Sequence, residues 1–314
     1  MRALNHFQGK KVKLGPRRKA RSVLNSSAIN WQTGEGLGMA GKVVFQGVAG
    51  AYSELAALSY FGPGMQLTGL PEFADVFAQV SDRKAQYGIV PIENSLTGSI
   101  HQNFDLFIEH ELWIVGEVKL RISHSLLAHP GKRIPELTRV YSHPQGLWQC
   151  QGFLRRYPRM EPTAAFDTAG SAKLIAEHKE YDAAAIASRE AATRYGLVAL
   201  KNGIEDNKKN FTRFLVLARK PSARGKSDGP VKTTLLFSLK NSPGSLYRSL
   251  GVFAERAIQV FKIESRPIPG RPWEYLFYLD VAGHASDKAV KQGLGELKEH
   301  VRQLRVLGSY PIAK

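Results

Sequence analysis

The chain has 314 residues, 43% hydrophobic and 23% charged, which fits a soluble protein of about two domains. Its single cysteine, Cys150, excludes an internal disulfide and a multi-cysteine metal site, and the lack of an apolar run of about 18 residues excludes a membrane-spanning helix. With 44 Lys and Arg against 27 Asp and Glu the net charge is +17, so nucleic acid, an anionic membrane surface and a small anionic ligand are the partners to weigh.

Residues 1–38 carry eight of the basic residues and one acid, Glu35, without apolar periodicity, and residues 1–40 read as a disordered basic head. The head holds no apolar segment of secretory type. It fits best a leader before an internal start at Met39; an organelle transit segment and a nucleic-acid-binding arm are the other readings. Its removal is expected to leave turnover and assembly unchanged. Gly36, Gly38 and Gly41 spell a dinucleotide-binding pattern, but a strand follows where a helix is required, so the pattern is rejected. Outside the head the basic excess is scattered, which argues against nucleic acid.

From residue 42 strands and helices alternate. Strands are predicted at 42–46, 87–92, 113–122, 126–128, 140–142, 183–187 and 214–218, and helices at 54–61, 98–109, 145–157 and 169–178. In the second helix Ile100, Phe104 and Phe107 share a stripe. The alternation predicts an α/β domain over 41–219 with mostly parallel sheets, whose ligands bind beyond the carboxyl ends of the strands. Residues 220–230 lack an apolar pattern and read as a linker. Over 231–314 the prediction is a strand at 231–239, a helix at 244–257 striped by Leu246, Leu250 and Phe253, strands at 259–265 and 273–281, a helix at 287–300 striped by Val290, Leu294 and Leu297, and a strand at 301–310. This βαββαβ order is a ferredoxin-like sandwich.

Polar clusters flank the strands of the first domain: Glu93-Asn94-Ser95, Ser142-His143-Pro144-Gln145, Asp167-Thr168-Ala169-Gly170 and Asn210-Phe211-Thr212-Arg213-Phe214. Singly, each has a plain structural reading. Asn94, Ser95, Asp167 and Thr168 suit helix N-caps, His143 suits a satisfied loop histidine, and Asn210-Phe211-Thr212 is a glycosylation sequon without secretory context. No metal-ligand spacing, nucleophile elbow or Walker loop occurs.

Together, in this order and spacing, Val90-Pro91-Ile92-Glu93-Asn94-Ser95, Ser142-His143-Pro144-Gln145, Asp167-Thr168-Ala169-Gly170 and Thr212-Arg213-Phe214 resemble the signature of prephenate dehydratase. The 47–53 loop and the run Ile122-Ser123-His124-Ser125-Leu126-Leu127 match as well. Asn241-Ser242-Pro243-Gly244 and Glu264-Ser265-Arg266-Pro267 resemble the ACT regulatory module, and the whole resemblance covers residues 42–312. Departures are Val48-Ala49 in a loop that usually contains proline, Trp148 where a small residue is commoner, and Gly244-Ser245-Leu246-Tyr247 in place of Gly-Ala-Leu-Val.

The resemblance implies an enzyme of L-phenylalanine biosynthesis that converts prephenate to phenylpyruvate, carbon dioxide and water, with no cofactor and no metal. It implies two α/β lobes similar to type II periplasmic binding proteins, with the active site between them. Thr212 takes the position of the family's principal catalytic residue, and Asn94, Ser142, Gln149 and Asp167 take supporting catalytic positions. The chemistry suits these residue types: aromatisation drives the reaction, and the site must supply a donor to the departing hydroxyl. Substrate carboxylates are expected at helix-start N–H groups near Asn94 and Ser53, at Ser95 and at Arg213, which fits a structural ion pair equally well. The ACT resemblance implies inhibition by L-phenylalanine at Asn241, Gly244, Ser245, Leu246, Glu264 and Ser265, on paired sheets of a homodimer or homotetramer. An arogenate dehydratase and a non-catalytic amino-acid-sensing binding protein are the alternatives. Neither nucleic acid nor a membrane is expected as a partner, and the cytoplasm is the expected location.

Overall fold

The computed structural model describes residues 41–222, 229–240, 242–268 and 270–313. The basic head, most of the linker and Asn241 lie outside the described residues.

The first lobe runs β1 (Lys42–Gln46), α1 (Tyr52–Phe61), β2 (Gln66–Leu70), α2 (Phe73–Ser81), β3 (Tyr87–Asn94), β4 (Gly98–Ser99), α3 (His101–Glu109) and β5 (Trp113–Arg121). The chain then crosses into a second lobe: β6 (Ser125–Ala128), β7 (Arg139–Ser142), α4 (Pro144–Gln149), α5 (Gln151–Leu154), β8 (Glu161–Ala164), α6 (Thr168–Glu177), β9 (Ala183–Ala187), α7 (Arg189–Tyr195) and β10 (Val198–Asn202). It crosses back as β11 (Phe211–Ala218), which lies between β3 and β5 of the first sheet. The C-terminal unit follows as β12 (Val231–Leu239), α8 (Ser245–Ala254), β13 (Val260–Ile268), β14 (Arg271–Ala282), α9 (Lys288–His300) and β15 (Val301–Pro311), the expected βαββαβ order.

Two lobes are as expected, and the chain crosses between them twice, but the sheets are mixed rather than mostly parallel. β1 pairs in parallel with β2 and β3, whereas the returning β11 is antiparallel to both β3 and β5. In the second lobe β7 is parallel to β8 and β9, and β6 is antiparallel to β9 and β10. A strand that re-enters a sheet from the far lobe arrives from the opposite end, and this reverses its direction.

Two local boundaries bear on the site. β3 runs past the expected end at 92 to Asn94: Pro91 still faces Phe214 of β11, and a register shift at Arg213/Phe214 leaves Ile92 as the extra residue. The helix expected over 145–157 is broken at Cys150, whose φ of -117° lies outside the helical region. The strand Ala183–Ala187 is fully buried on both faces, and its alanines let α6 approach closely in a shared core with Ala169 and Ala172. On the far face of the first lobe, Phe77, Phe104, Phe107 and Leu215 pack into one core with Leu236, Leu276, Tyr278 and Tyr310 of the C-terminal sheet. That sheet has the order β13-β14-β12-β15, with a second core under α8 and α9. Among the described residues no helix is long and apolar enough to cross a membrane.

Candidate active site

A cleft of about 290 Å³ lies between the lobes. The first lobe contributes Tyr52, Ser53, Asn94 and Thr212 to its lining, and the second contributes His143, Gln149 and Asp167. Thr212 and Asn94 meet as direct cross-strand partners on β11 and β3. Asn94 Nδ2 donates to Thr212 Oγ1 at 3.0 Å and to Asn210 Oδ1 at 2.7 Å. Its Oδ1 accepts the N–H groups of Leu96 and Thr97 at 3.0 and 3.1 Å and so ties down the turn into β4. Thr212 Oγ1 therefore accepts from Asn94, and its own proton is left to be donated into the cleft. Asn210 is fully buried, so the sequon is not a glycosylation site.

Asp167 caps α6 by accepting the Gly170 N–H. Burial raises its carboxyl above the usual carboxylate range, against the lowering pull of that N–H and of His143. His143 caps α4, its Nδ1 accepting from Gln145 N at 3.2 Å, and burial lowers its pKa. Gln149 bonds through Oε1 to His124 Nε2 at 2.8 Å, so that Nε2 carries the proton and Nδ1 is the acceptor. The Tyr52 hydroxyl lies 3.0 Å from His124 Nδ1 and 2.8 Å from Ser123 O. Burial lowers the His124 pKa, partly offset by Gln149 and Glu205. Buried Glu205, from the second crossover, accepts the His124 N–H at 2.9 Å and ties the two crossovers together.

The described cleft lining contains no Lys or Arg. Helix starts reach the cleft instead: α1 opens at Tyr52, α4 at Pro144 with Gln145 in the lining, and α6 at Thr168. At α1 the N-cap, Ala51, has no side-chain acceptor, so the first-turn amides keep their capacity to hold an anion. Among the described residues no group of three or more His, Cys, Asp and Glu is arranged to hold a metal ion.

Several expected site residues lie elsewhere. Ser142 is fully buried and donates to Ile186 O at 2.7 Å behind Gly146, outside the cleft lining. Ser95 is exposed and pins β11, accepting from Phe211 N at 3.0 Å. Asn94 is no helix start, since α3 begins at His101. Arg213 is also outside the cleft. Adjacent strand residues point to opposite faces, so with Thr212 facing the cleft Arg213 faces the C-terminal sheet. There it pairs with Glu117 and Asp280, each at 2.7 Å, and donates to the Tyr310 hydroxyl at 3.1 Å. His124 and Tyr52 were not singled out as site residues. The available signal was the polar Ser123-His124-Ser125 wedged between two apolar runs, at what proves to be the first crossover.

In the C-terminal unit, Gly244 caps α8 at φ 76°, a left-handed conformation that suits glycine. With Ser245, Leu246, Tyr247 and Trp273 it lines a second cavity of about 270 Å³. Glu264 and Ser265 lie outside this lining. Glu264 turns instead toward the first lobe, where it bonds Ser99 Oγ and faces His101 Nε2 at 3.2 Å.

The prephenate dehydratase family model matches residues 43–222. Arogenate dehydratase 2 of Petunia hybrida is 46% identical over 284 residues, covering 86% of this chain and 71% of its own. The arogenate dehydratase/prephenate dehydratase 2, chloroplastic, of Arabidopsis thaliana is 45% identical over 280 residues, covering 86% and 73%. Among solved structures, prephenate dehydratase from Arthrobacter aurescens in complex with L-Phe is similar with a TM-score of 0.79 and 30% identity, over 86% of this chain and 90% of that one. The quorum quenching acylase GqqA is similar with a TM-score of 0.78 and 35% identity, over 86% and 97%.

Proposed function

The chain belongs to the prephenate dehydratase family, and from that premise we propose that its cleft converts prephenate to phenylpyruvate, carbon dioxide and water in L-phenylalanine biosynthesis. The observation that carries this reading is the Thr212 hydroxyl, held by the Asn94 amide at 3.0 Å and facing a cleft that both lobes line. In the reaction the bond from the ring to its carboxylate breaks, and carbon dioxide leaves. That electron pair becomes part of the aromatic ring as the bond to the ring hydroxyl breaks, and the departing hydroxide takes a proton from solvent to become water. Thr212 is too weak an acid to lose its proton outright. It acts as a positioned donor to the leaving oxygen, strengthened by the Asn94 N–H that polarises it. The α1 start, with Ser53, holds a carboxylate of the substrate. Asp167 fixes the α6 start, and Gln149 with His124 and Tyr52 braces the cleft wall from both lobes.

The names of the two plant relatives favour a second reading, in which arogenate is the substrate and L-phenylalanine forms directly. The amide hydrolysis implied by the name of GqqA requires a base beside a nucleophile. Here the neighbour bonded to Thr212 is an amide nitrogen, which cannot take a proton. We place L-phenylalanine, the ligand named for the Arthrobacter structure, as effector in the cavity at the start of α8. A second copy of the chain covers the exposed Tyr247, Phe261, Ile263 and Trp273 beside the edge strand β13, giving a homodimer or a pair of dimers. The cytoplasm remains the proposed location; imaging of the full chain fused to a fluorescent protein tests it against the chloroplast named for the Arabidopsis relative.

Turnover of the purified chain with prephenate and arogenate side by side, with and without L-phenylalanine, tests the reading. Prephenate turnover that phenylalanine inhibits is expected. A larger kcat/KM on arogenate moves the assignment to the second reading, and no turnover of either substrate overturns both.

A further inference from the structure

Strand β13 has two unlike sides. Lys262, Glu264 and Arg266 alternate along it, and all three bond the first lobe. Lys262 Nζ donates to Glu93 Oε1 at 3.0 Å and to Ser99 Oγ at 2.9 Å. Glu264 accepts from Ser99 Oγ, and Arg266 makes a two-pronged pair with Asp105 at 2.9 and 2.7 Å. The residues between them, Ile263 and Ser265, are exposed on the opposite side, whereas Phe261 sits at a register shift with its ring under Lys232 Nζ.

What β13 grips on the first lobe is the stem that carries Asn94. Glu93 and Ser99 are direct partners across the β3–β4 pair, and Asn94 follows Glu93 opposite Gly98. The other half of the catalytic pair repeats the pattern, since Thr212 faces the cleft while the next residue, Arg213, is held by Asp280 of β14 at 2.7 Å. Each member of the Asn94–Thr212 pair is thus one peptide away from a charged residue clamped to the C-terminal sheet. Catalytic donors act within a narrow geometry, and a misplacement of about 1 Å can cost a hundredfold in rate.

We infer that Lys262 is a positioning residue for the Asn94–Thr212 pair, and that β13 transmits to the cleft the state of its exposed side. The first part stands on the contacts of Lys262; the second rests on the proposed placement of phenylalanine and a second copy beside that side. Lys262 is suited to the role because it is a single cation shared between the carboxylate preceding Asn94 and the hydroxyl opposite that carboxylate.

The test compares the full-length protein with Lys262→Met and Lys262→Arg. It measures kcat and KM on the better substrate, inhibition by L-phenylalanine, and phenylalanine binding by calorimetry on the same preparations. Lys262→Met is expected to lower kcat about tenfold with KM held within about twofold. It is expected to bind phenylalanine as wild type does while inhibition weakens at least about fivefold, and Lys262→Arg restores both. Wild-type kcat and inhibition in Lys262→Met overturn the inference. A joint loss of KM and melting temperature that Lys262→Arg fails to rescue shows a merely structural residue and overturns it as well. Wild-type protein that turns over substrate yet binds no phenylalanine overturns the regulatory reading and the transmission with it, and the kcat of Lys262→Met then decides the positioning role alone.

Discussion

Asn94 and Thr212 are neighbours across β3 and β11, 118 residues apart in the chain, with the amide nitrogen of one 3.0 Å from the hydroxyl oxygen of the other. The same Asn94 side chain holds the turn into β4 through its oxygen. One residue thus orients the donor of the reaction and fixes the backbone from which it does so.

Asn94→Ala should therefore lose on both counts. Loss of the donor that polarises Thr212 is expected to lower kcat by about 10²-fold. The freed turn amides are expected to cost about 1–3 kcal/mol of stability. Steady-state kinetics and urea denaturation of the same protein check the two effects. A variant that loses stability alone contradicts the catalytic part.

Behind α4, Gly146 leaves no room for a side chain, since an added Cβ falls 2.6 Å from Ser142 Oγ. Gly146→Ala should push α4 toward the cleft and cost about 1–3 kcal/mol. Removing the clashing hydroxyl should relieve it, because the next contacts of that Cβ are at 3.4 and 3.5 Å. The Ser142→Ala/Gly146→Ala pair is therefore expected to be more active than Gly146→Ala alone. Ser142→Ala by itself should cost about 0.5–1.5 kcal/mol with turnover near wild type. A large rate loss in Ser142→Ala would return that hydroxyl to the chemistry.

Burial lowers the pKa of His124 and His143 from 6.5, so the folded chain resists protons that the unfolded chain accepts. Their contribution is complete above pH 6.5 and is lost as pH falls from there through the lowered folded values. Asp167 has the opposite sign. Its folded pKa is raised above 3.8, so its proton-linked contribution is present below 3.8 and is lost as pH rises through the raised value. Urea denaturation across this range should show stability rising toward pH 6.5, with a shallower rise in His124→Gln. An unchanged slope contradicts the neutral, buried state of His124.

Much of the cleft was legible in the sequence because its residues end or begin elements. Asp167 was readable as a cap and does cap α6, whereas His143, read as a loop histidine, caps α4. Thr212 was found through its motif, yet the strand was expected to start at 214, and that hid the alternation which sends Arg213 to the other face. The edge strand β2 escaped because it is short and half-exposed and contains Gly69, packed against the Gly47 backbone. That Ser142, given a supporting catalytic position, is buried behind α4 was hidden because nothing local shows that a helix folds back over it. The division of β13 between two partners was equally hidden, since its period-two pattern shows two sides but not what each one meets.

Gly244→Val should weaken the proposed phenylalanine site. The added side chain is strained at φ 76°, and its Cβ falls 2.9 Å from Arg248 Nη1 at the mouth of the α8 start. Calorimetry is expected to show phenylalanine binding weakened at least about tenfold, equivalent to about 1.4 kcal/mol. Unchanged affinity would place the effector elsewhere.

The most direct test of the central claim, that the Thr212 hydroxyl assists departure of the ring hydroxyl, is kcat of Thr212→Val on whichever of prephenate and arogenate wild type turns over better. Valine keeps the shape and removes the donor, so kcat should fall about 10²–10³-fold while KM and melting temperature stay near wild type. A kcat within about threefold of wild type would contradict the account.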